Sequence, residues 1–493
     1  MSALFPFHGG VKTARHKTES NQRPIAPGIL PPRLIVPLHQ HVGATAKPIV
    51  QPGDRVLKGQ RIGQADGYLS AAIHAPTSGL VTAVDQQPVP HPSGLPDLCV
   101  TIETDGDDRW IDRQPLDYPQ LHPSDLRNAI RNAGVVGLGG AVFPSAVKLN
   151  LSGHCERLEH LILNGAECEP WMTCDDLIMR ERAAEIVAGI HILVHLLNPR
   201  ETLIGIEDDK PEALAAMTAA CAGTDFQVCP VPTRYPSGGA KQLTKLLTNK
   251  EAPIKGRSTD IGVQCFNVAT AYTLHRAINC GEPVISRIVT VTGHVQQPQN
   301  VDALLGTQFA DLIAQCGGYR EGVERLIMGG PMMGFAMHHD QVPVTKATNC
   351  ILAASARELS PEQAVMPCIR CGDCVDVCPA NLLPQQLYWF ARAREFDKAR
   401  DHHLFSCIEC GCCSYVCPSH IPLVQYYRYA KNEIWARENE KQQAELARQR
   451  HQARMERLER EKQEREAKLR QKAPSRADPV LVTPMIGSRD RNE

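Results

Sequence analysis

Eight cysteines in two matching runs constrain this chain more than any other feature. Cys368-Ile-Arg-Cys371-Gly-Asp-Cys374-Val-Asp-Val-Cys378-Pro379 is the first, and Cys407-Ile-Glu-Cys410-Gly-Cys-Cys413-Ser-Tyr-Val-Cys417-Pro418 the second. Both read C-x2-C-x2-C-x3-C-P. Three thiolates spaced by two residues can wrap three irons of one cubane from a single turn of chain. The fourth cannot fold back to that cubane and ligates its neighbour. The expected ligand sets for two [4Fe–4S] clusters are therefore Cys368, Cys371, Cys374 with Cys417, and Cys407, Cys410, Cys413 with Cys378. A zinc site wants four ligands, usually as two CxxC pairs, and accounts poorly for a duplicated four-cysteine run. Pro379 and Pro418 turn the chain away after each crossed ligand, and Cys412 is expected to pack rather than ligate. Leu382 to Leu404, with Leu387, Trp389, Phe390, Ala393 and Phe396, reads as a connecting helix with an apolar face.

Nine of the 19 cysteines fall in this stretch, which points to metal rather than a disulfide framework and to a reducing compartment. The chain has 493 residues, room for several domains, with a formal net charge of −1 that gives no hint of a nucleic-acid partner. No signal peptide is expected at the N-terminus. The longest apolar stretch, Ile186 to Leu197, is interrupted by His191 and His195 and is too short to span a bilayer, so any membrane role would be peripheral.

The fold class predicted is multidomain α/β. After an extension over 1–33, residues 34–104 read as short strands punctuated by Gly and Pro. The phrases Pro52–Gly63 and His74–Val81 resemble biotinyl/lipoyl-type barrel-sandwich domains, yet Gly59 to Val84 holds no lysine, which implies the fold without a swinging arm. Over 118–283, helices (Ser124 to Asn132, capped by Ser124; Asp176 to Leu197; Pro211 to Cys221) alternate with strands at His160–Leu163, Thr202–Ile206 and Phe226–Val228. That alternation predicts a Rossmann-like parallel sheet flanked by helices, with ligands at the C-terminal strand ends. Residues 284–350, with strands at Ile288–Gly293 and near Arg325–Pro331 and a helix at Gln308–Cys316, read as a small β-grasp domain. The two-cluster ferredoxin module takes 360–430. The tail 431–493 reads as a solvated, helix-prone tract, or a docking arm, becoming disordered after Pro474.

Four phrases in the 118–283 segment suit a nucleotide. Gly137-Leu-Gly139-Gly140-Ala-Val-Phe143-Pro-Ser-Ala-Val-Lys148 offers glycines that let amides approach a phosphate, a downstream cation and a ring to stack. Asn164-Gly-Ala-Glu167-Cys-Glu169-Pro170 ends an apolar strand with groups suited to hydroxyls or amide donors. Arg234-Tyr-Pro-Ser-Gly238-Gly239-Ala-Lys241 opens a helix with a second glycine pair, and Asn267 either contacts a flavin edge or simply caps a helix.

In this order the phrases resemble the flavin- and NADH-binding subunit of respiratory complex I. The whole plan, barrel-sandwich to ferredoxin module, resembles the RnfC family of the Rnf electron-transport complexes, from His8-Gly-Gly-Val-Lys12 to about Tyr429. The resemblance implies that Gly137, Gly139, Gly140 and Lys148 hold the phosphate and ring of a non-covalent FMN, that Asn164 and Asn267 contact it, and that Phe143, Glu167 and Glu169 line the nucleotide pocket, with Gly238 contributing nearby. It implies no catalytic side chain. NADH would give a hydride, and electrons would leave the second cluster for membrane subunits of an ion-translocating NADH:ferredoxin (or flavodoxin) oxidoreductase, the chain lying on the cytoplasmic face of a bacterial inner membrane. Ala166, Leu138, Gly239 and Ala240 replace an acid, an arginine and two glutamates of the complex I pattern. Two other readings remain open: a cobalamin reductase of bacterial microcompartments, which shares the domain plan, and a non-catalytic iron–sulfur relay scaffold.

Overall fold

The computed structural model describes residues 4–151, 158–254, 256–356, 358 and 363–472. It divides into two units, 1–428 and 429–493. The expected disorder after Pro474 lies outside the described residues.

Near the N-terminus, strands Arg33–Pro37, Pro96–Thr104, Gly79–Pro88 and Arg55–Val56 form one antiparallel sheet, and Lys47–Pro48, Arg61–Gln64 and Ile73–His74 a second. Between them Leu34, Val36, Leu38, Ile62, Ile73, Val81, Val100 and Ile102 make a core of their own. The even-numbered apolar positions of the first strand all point into it, as the two-residue period of a strand requires.

A four-stranded, all-parallel sheet follows, in the order Phe226–Val231, Glu201–Glu207, His160–Gly165, Val263–Asn267. Its central strands are buried nearly throughout (every residue after Glu201 in Glu201–Glu207) because helices cover both faces. The helical stretch expected over Asp176 to Leu197 is two helices, Cys174–Glu181 and Ala183–Leu197, broken at Arg182, whose backbone leaves the helical region. His122, not Ser124, is the N-cap of the helix Pro123–Asn132: its ring accepts from the Ser124 amide, and proline takes the first helical position.

Strand order in this sheet sets where a ligand can sit. From His160–Gly165 the chain moves outward on one side for two strands, then returns to place Val263–Asn267 on the other. The crevice between His160–Gly165 and Val263–Asn267 is the topological switch point, with Asn164 paired directly opposite Asn267 at its carboxyl end.

A six-stranded mixed sheet runs Ala26–Pro27, Gln299–Leu304, Ser286–Gly293, Cys350–Ser355, Val323–Met328, Phe335–Met337. It takes an edge strand from the N-terminal extension and includes a strand that begins at 350, so the expected limit of this region cuts into it. In the cysteine-rich region the expected single helix is two, Pro384–Arg392 and Phe396–Asp401. Arg394 takes a left-handed conformation (φ 58) and the Glu395 amide returns to the Phe390 carbonyl, which closes the first helix. Leu387, Tyr388 and Ala391 are its buried face, while Trp389 is exposed.

The last helix runs Leu423–Lys472. In the second unit its Leu446, Met455, Leu458 and Leu469 are exposed, and pairs one turn apart, such as Arg457–Glu461, line its surface. That is the solvated helix expected from the charge pattern.

Candidate functional site

The glycine loop stands at the switch point. Gly134, in the left-handed region, ends the helix Pro123–Asn132, and Val136 bridges to Pro144. The Gly137 amide donates to the Phe143 carbonyl (2.9 Å) and the Val142 amide to the Gly137 carbonyl (3.1 Å). Leu138 is buried, its amide donating to Thr270 Oγ1 (3.0 Å) and its carbonyl accepting from Arg287 (3.3 Å). The base of the loop is thereby fixed on three sides. Its tip is left open: Gly139, Gly140 and Ala141 are exposed, and their amides find no acceptor among the described residues. Gly140 needs its φ of 103°, which a side chain would strain. A Cβ on Gly139 would lie 3.3 Å from that of Asn267, so the loop rests against the strand end. Phe143 stands beside it, 36% exposed.

Each strand-end residue has a partner. Asn164 donates to the Gly238 carbonyl (2.8 Å) and accepts from the Ala166 amide (3.2 Å). Asn267 caps the helix Val268–Asn279 by accepting from the Ala269 amide (2.9 Å) and donates to Asp175 (2.6 Å). Glu167 is turned inward, its carboxylate accepting from the amides of Asp175 (2.7 Å) and Asp176 (3.3 Å) in the first turn of Cys174–Glu181. Burial pushes its carboxyl up, opposed by Lys17. Glu169 accepts from the amides of Met332 (2.7 Å) and Met333 (3.0 Å), on the hairpin tip between Val323–Met328 and Phe335–Met337. Burial raises it too. Lys148 donates to the Cys265 carbonyl and lies 4.5 Å from the centre of the Phe266 ring; burial lowers its pKa.

Cys378, Cys407, Cys410 and Cys413 line one cavity, together with Leu387, Val424 and Tyr427. Cys417 lies close enough to Cys374 to act on its charge, alongside Cys368 and Cys371. The four that share the cavity are those expected of one crossed set, and the other four are those expected of the second. They differ in environment: Cys378, Cys410 and Cys413 are buried, whereas Cys371 is exposed. Cys412 is fully buried and packs with Val11, Tyr235 and Cys410.

The cysteine region is fastened to the parallel sheet by residues that no motif singles out for that role. The Tyr235 hydroxyl donates to the Cys410 carbonyl (2.6 Å), and Gln242 to the Pro379 carbonyl (3.2 Å). The Gly238 amide donates to Cys168 Sγ (3.2 Å). The N-terminal extension threads between the two: Gly10 donates to the Val377 carbonyl (2.9 Å), His8 Nδ1 lies 3.0 Å from the Cys378 carbonyl, and Val11 exchanges backbone bonds with Tyr235. Further on, the buried Lys17 ammonium donates to the carbonyls of Glu167 (2.5 Å) and Met172 (2.7 Å).

Four family models match the chain: an RnfC barrel-sandwich hybrid domain over residues 5–107, a Nuo51 FMN-binding domain over 130–276, an SLBB domain over 288–336 and a 4Fe-4S dicluster domain over 367–421. A protein of Serratia proteamaculans described as the C component of an ion-translocating oxidoreductase complex is 48% identical, over 96% of this chain and 68% of its own length. The chain belongs to the RnfC family. Relatives of the same description from Pseudomonas aeruginosa (49% identical, 95% of this chain, 60% of the relative) and Vibrio cholerae (50%, 96%, 61%) are longer, and this chain spans about three fifths of them. Among solved structures, an NAD+-reducing [NiFe]-hydrogenase in its H2-reduced state covers 64% of this chain and 63% of its own at 16% identity, with a TM-score of 0.44, too loose to carry an argument.

The cofactors that go with the RnfC family are FMN and iron–sulfur clusters. The residues present fit both. Eight thiols gather in two groups of four, and three uncommitted amides at a switch point suit an anionic phosphate. Among the described residues no helix is long and apolar enough to cross a membrane.

Proposed function

We propose that this chain is the NADH-oxidising electron-transfer subunit of an Rnf-type ion-translocating complex. It would lie peripherally on the cytoplasmic face of the membrane and exchange electrons with ferredoxin or flavodoxin through the other subunits. One observation carries the reading: the Tyr235 hydroxyl, on the same turn as Gly238 at the sheet's carboxyl edge, is bonded directly to a cluster-ligand carbonyl, that of Cys410. A nucleotide site and a metal site joined this tightly suit electron transfer from one to the other.

FMN, when bound, converts the two-electron hydride chemistry of NADH to single-electron transfer. The chain's own part is to hold and shield. Free amides of Gly139, Gly140 and Ala141 would take the phosphate, with Gly137 setting the turn. Asn164 and Asn267 would border the ring, and Phe143 would flank the nucleotide. Glu167, Glu169 and Gly238 act one layer back, through the helix cap, the Met332–Met333 hairpin and Cys168. Lys148, engaged by the Cys265 carbonyl, would support the strand end from below unless it is released toward the phosphate. No acid or nucleophile is needed.

Burial orders the two metal sites. The set containing Cys410 is the inner one, packed with Tyr235 and Val11, and the set containing the exposed Cys371 is the outer. On this reading electrons leave by the outer cluster, that of Cys368, Cys371, Cys374 and Cys417. The test is a visible spectrum and flavin extraction on anaerobically purified protein, before and after NADH. Cluster absorbance and stoichiometric FMN, both bleached by NADH, are expected. Clusters without flavin and without bleaching would leave the relay scaffold as the better account.

A further inference from the structure

We propose that Arg287 is a positioning residue for the flavin: it turns the Leu138–Gly139 peptide so that the Gly139 N–H faces the open tip of the loop, as a donor to the flavin phosphate. The inference rests on the loop being the phosphate cradle, as proposed above. In the Gly137–Leu138 peptide both ends are spent: the carbonyl accepts from the Val142 amide (3.1 Å) and the N–H donates to Thr270 Oγ1 (3.0 Å). In the next peptide only the carbonyl is spent, the Leu138 oxygen accepting from Arg287 (3.3 Å). Among the described residues the one cis peptide is Tyr235–Pro236, so this peptide is trans and its N–H points opposite to its C=O. With the carbonyl drawn inward to a buried guanidinium, the Gly139 N–H points outward, at the exposed tip, where no acceptor meets it among the described residues.

Arg287 comes from the mixed sheet, on Ser286–Gly293, and is 5% exposed. It also donates to the Lys346 carbonyl, and its Nε lies 3.4 Å from the Ile288 carbonyl. No carboxylate pairs with it among the described residues. Asp175, which favours its charge from further off, is bonded to Asn267 (2.6 Å). An arginine stays protonated even when buried, so this charge has carbonyl dipoles for partners in place of a paired anion. A buried charge without a counter-ion is costly, and the far end of the Leu138–Gly139 peptide is where an anion would balance it. That peptide would then be polarised from both ends, and hydrogen bonds in such a chain strengthen one another. Lys346, whose carbonyl shares the guanidinium, holds the Gly134 carbonyl with its ammonium (2.7 Å), so the launch and the base of the loop are set from the same side.

The test is anaerobic titration of the full-length protein, its clusters in place and its flavin dialysed away, with FMN and separately with riboflavin, read by flavin fluorescence. Riboflavin has the ring without the phosphate. The ratio of the two affinities therefore isolates the phosphate contact, and a general loosening of the site would not move it. Arg287→Gln should lower the preference for FMN over riboflavin about tenfold, the loss of a charge-assisted hydrogen bond, with riboflavin affinity kept within about twofold. Thr270→Val, which frees the other side of Leu138, should lower the same preference about threefold. An Arg287→Gln protein that keeps its iron and the parent's preference overturns the proposal, as does equal weakening of both ligands. If Arg287→Gln does not retain iron, Thr270→Val decides, and an unchanged preference overturns the proposal. A parent that takes up no FMN, or FMN binding unaffected by Gly139→Val, would instead sink the loop reading, and this inference with it.

Discussion

Lys346 gives the sharpest quantitative prediction. Its ammonium is fully buried, donates to the carbonyls of Ala72 (3.1 Å) and Gly134 (2.7 Å), and has no carboxylate beside it among the described residues. It pins the N-terminal sheets to the turn that launches the glycine loop. Burial holds its pKa down to about 7, against roughly 10.4 for an unfolded lysine. Between those values the unfolded chain binds a proton that the folded chain does not, so stability rises with pH through that window and falls as pH drops toward 7. The gain is about 2 kcal/mol from pH 7 to 9, and below pH 7 the Lys346 contribution flattens because both states are protonated. His41 and His74 face the same ammonium; burial first, and Lys346 second, holds them near 4 and 3, so they are neutral in the fold but protonate in the unfolded chain below about pH 6.5, a further loss of stability that parent and variant share and that cancels in their difference. Lys346→Met removes the titration and leaves two carbonyls unpaired, at about 1 kcal/mol each. The variant should be about 2 kcal/mol less stable than the parent at pH 9 and within about 1 kcal/mol of it at pH 6. Urea unfolding under anaerobic, reducing conditions measures both. A wild-type-to-variant difference that stays constant from pH 6 to 9 would refute the argument.

Three further outcomes are expected. Cys417→Ser should lose about half of the iron and match Cys371→Ser by electron paramagnetic resonance, while Cys378→Ser matches Cys410→Ser; the opposite matching would rule out crossed ligation. Gly139→Val, whose branched side chain would meet Asn267, should cut FMN retention at least about tenfold while leaving the iron content intact, as read by flavin fluorescence and iron assay on one preparation. Gly9→Ala places a Cβ 2.6 Å from the Val377 carbonyl at a φ of 71°, and should free the N-terminal extension at a cost of about 2 kcal/mol or more. Faster proteolysis before Lys17 and slower NADH-driven cluster reduction would register it, and unchanged proteolysis would count against the clasp.

What the sequence made legible was local chemistry. Cysteine spacing alone marked out the eight thiols and two candidate sets, because ligand reach along a short chain segment is a local constraint, and the fold lines one cavity with Cys378, Cys407, Cys410 and Cys413. Strand positions were readable for the same reason: the apolar runs at His160, Thr202 and Phe226 begin within a residue of the strands observed. Breaks at Arg182 and Arg394 were not readable, since neither carries the glycine or proline that usually marks a helix end. Glu167 and Glu169 resisted reading for a deeper reason. A carboxylate at a strand end can face a ligand or bond backbone amides, and only the fold brings the amides of Asp175 and Met332 to them.

The extension before residue 34 carries the same lesson into function. It has no motif for these contacts, yet His8, Gly10 and Val11 bind the residues around Cys378 and Tyr235, Lys17 binds the loop of Glu167, and Ala26–Pro27 completes the mixed sheet. One strand of chain thus touches the inner metal site, the flavin-domain loop and the sheet whose hairpin holds Glu169. Electron transfer between sites on separate domains requires their separation to be fixed, and domain contacts within a chain are by default mobile unless something ties them. Here the ties are a threaded segment, the Tyr235 hydroxyl and the Met332–Met333 hairpin, all converging around Cys410. The surroundings of Cys410 are therefore braced from three directions, whereas Cys371 is exposed, which is why the proposed path to a partner runs outward past Cys371.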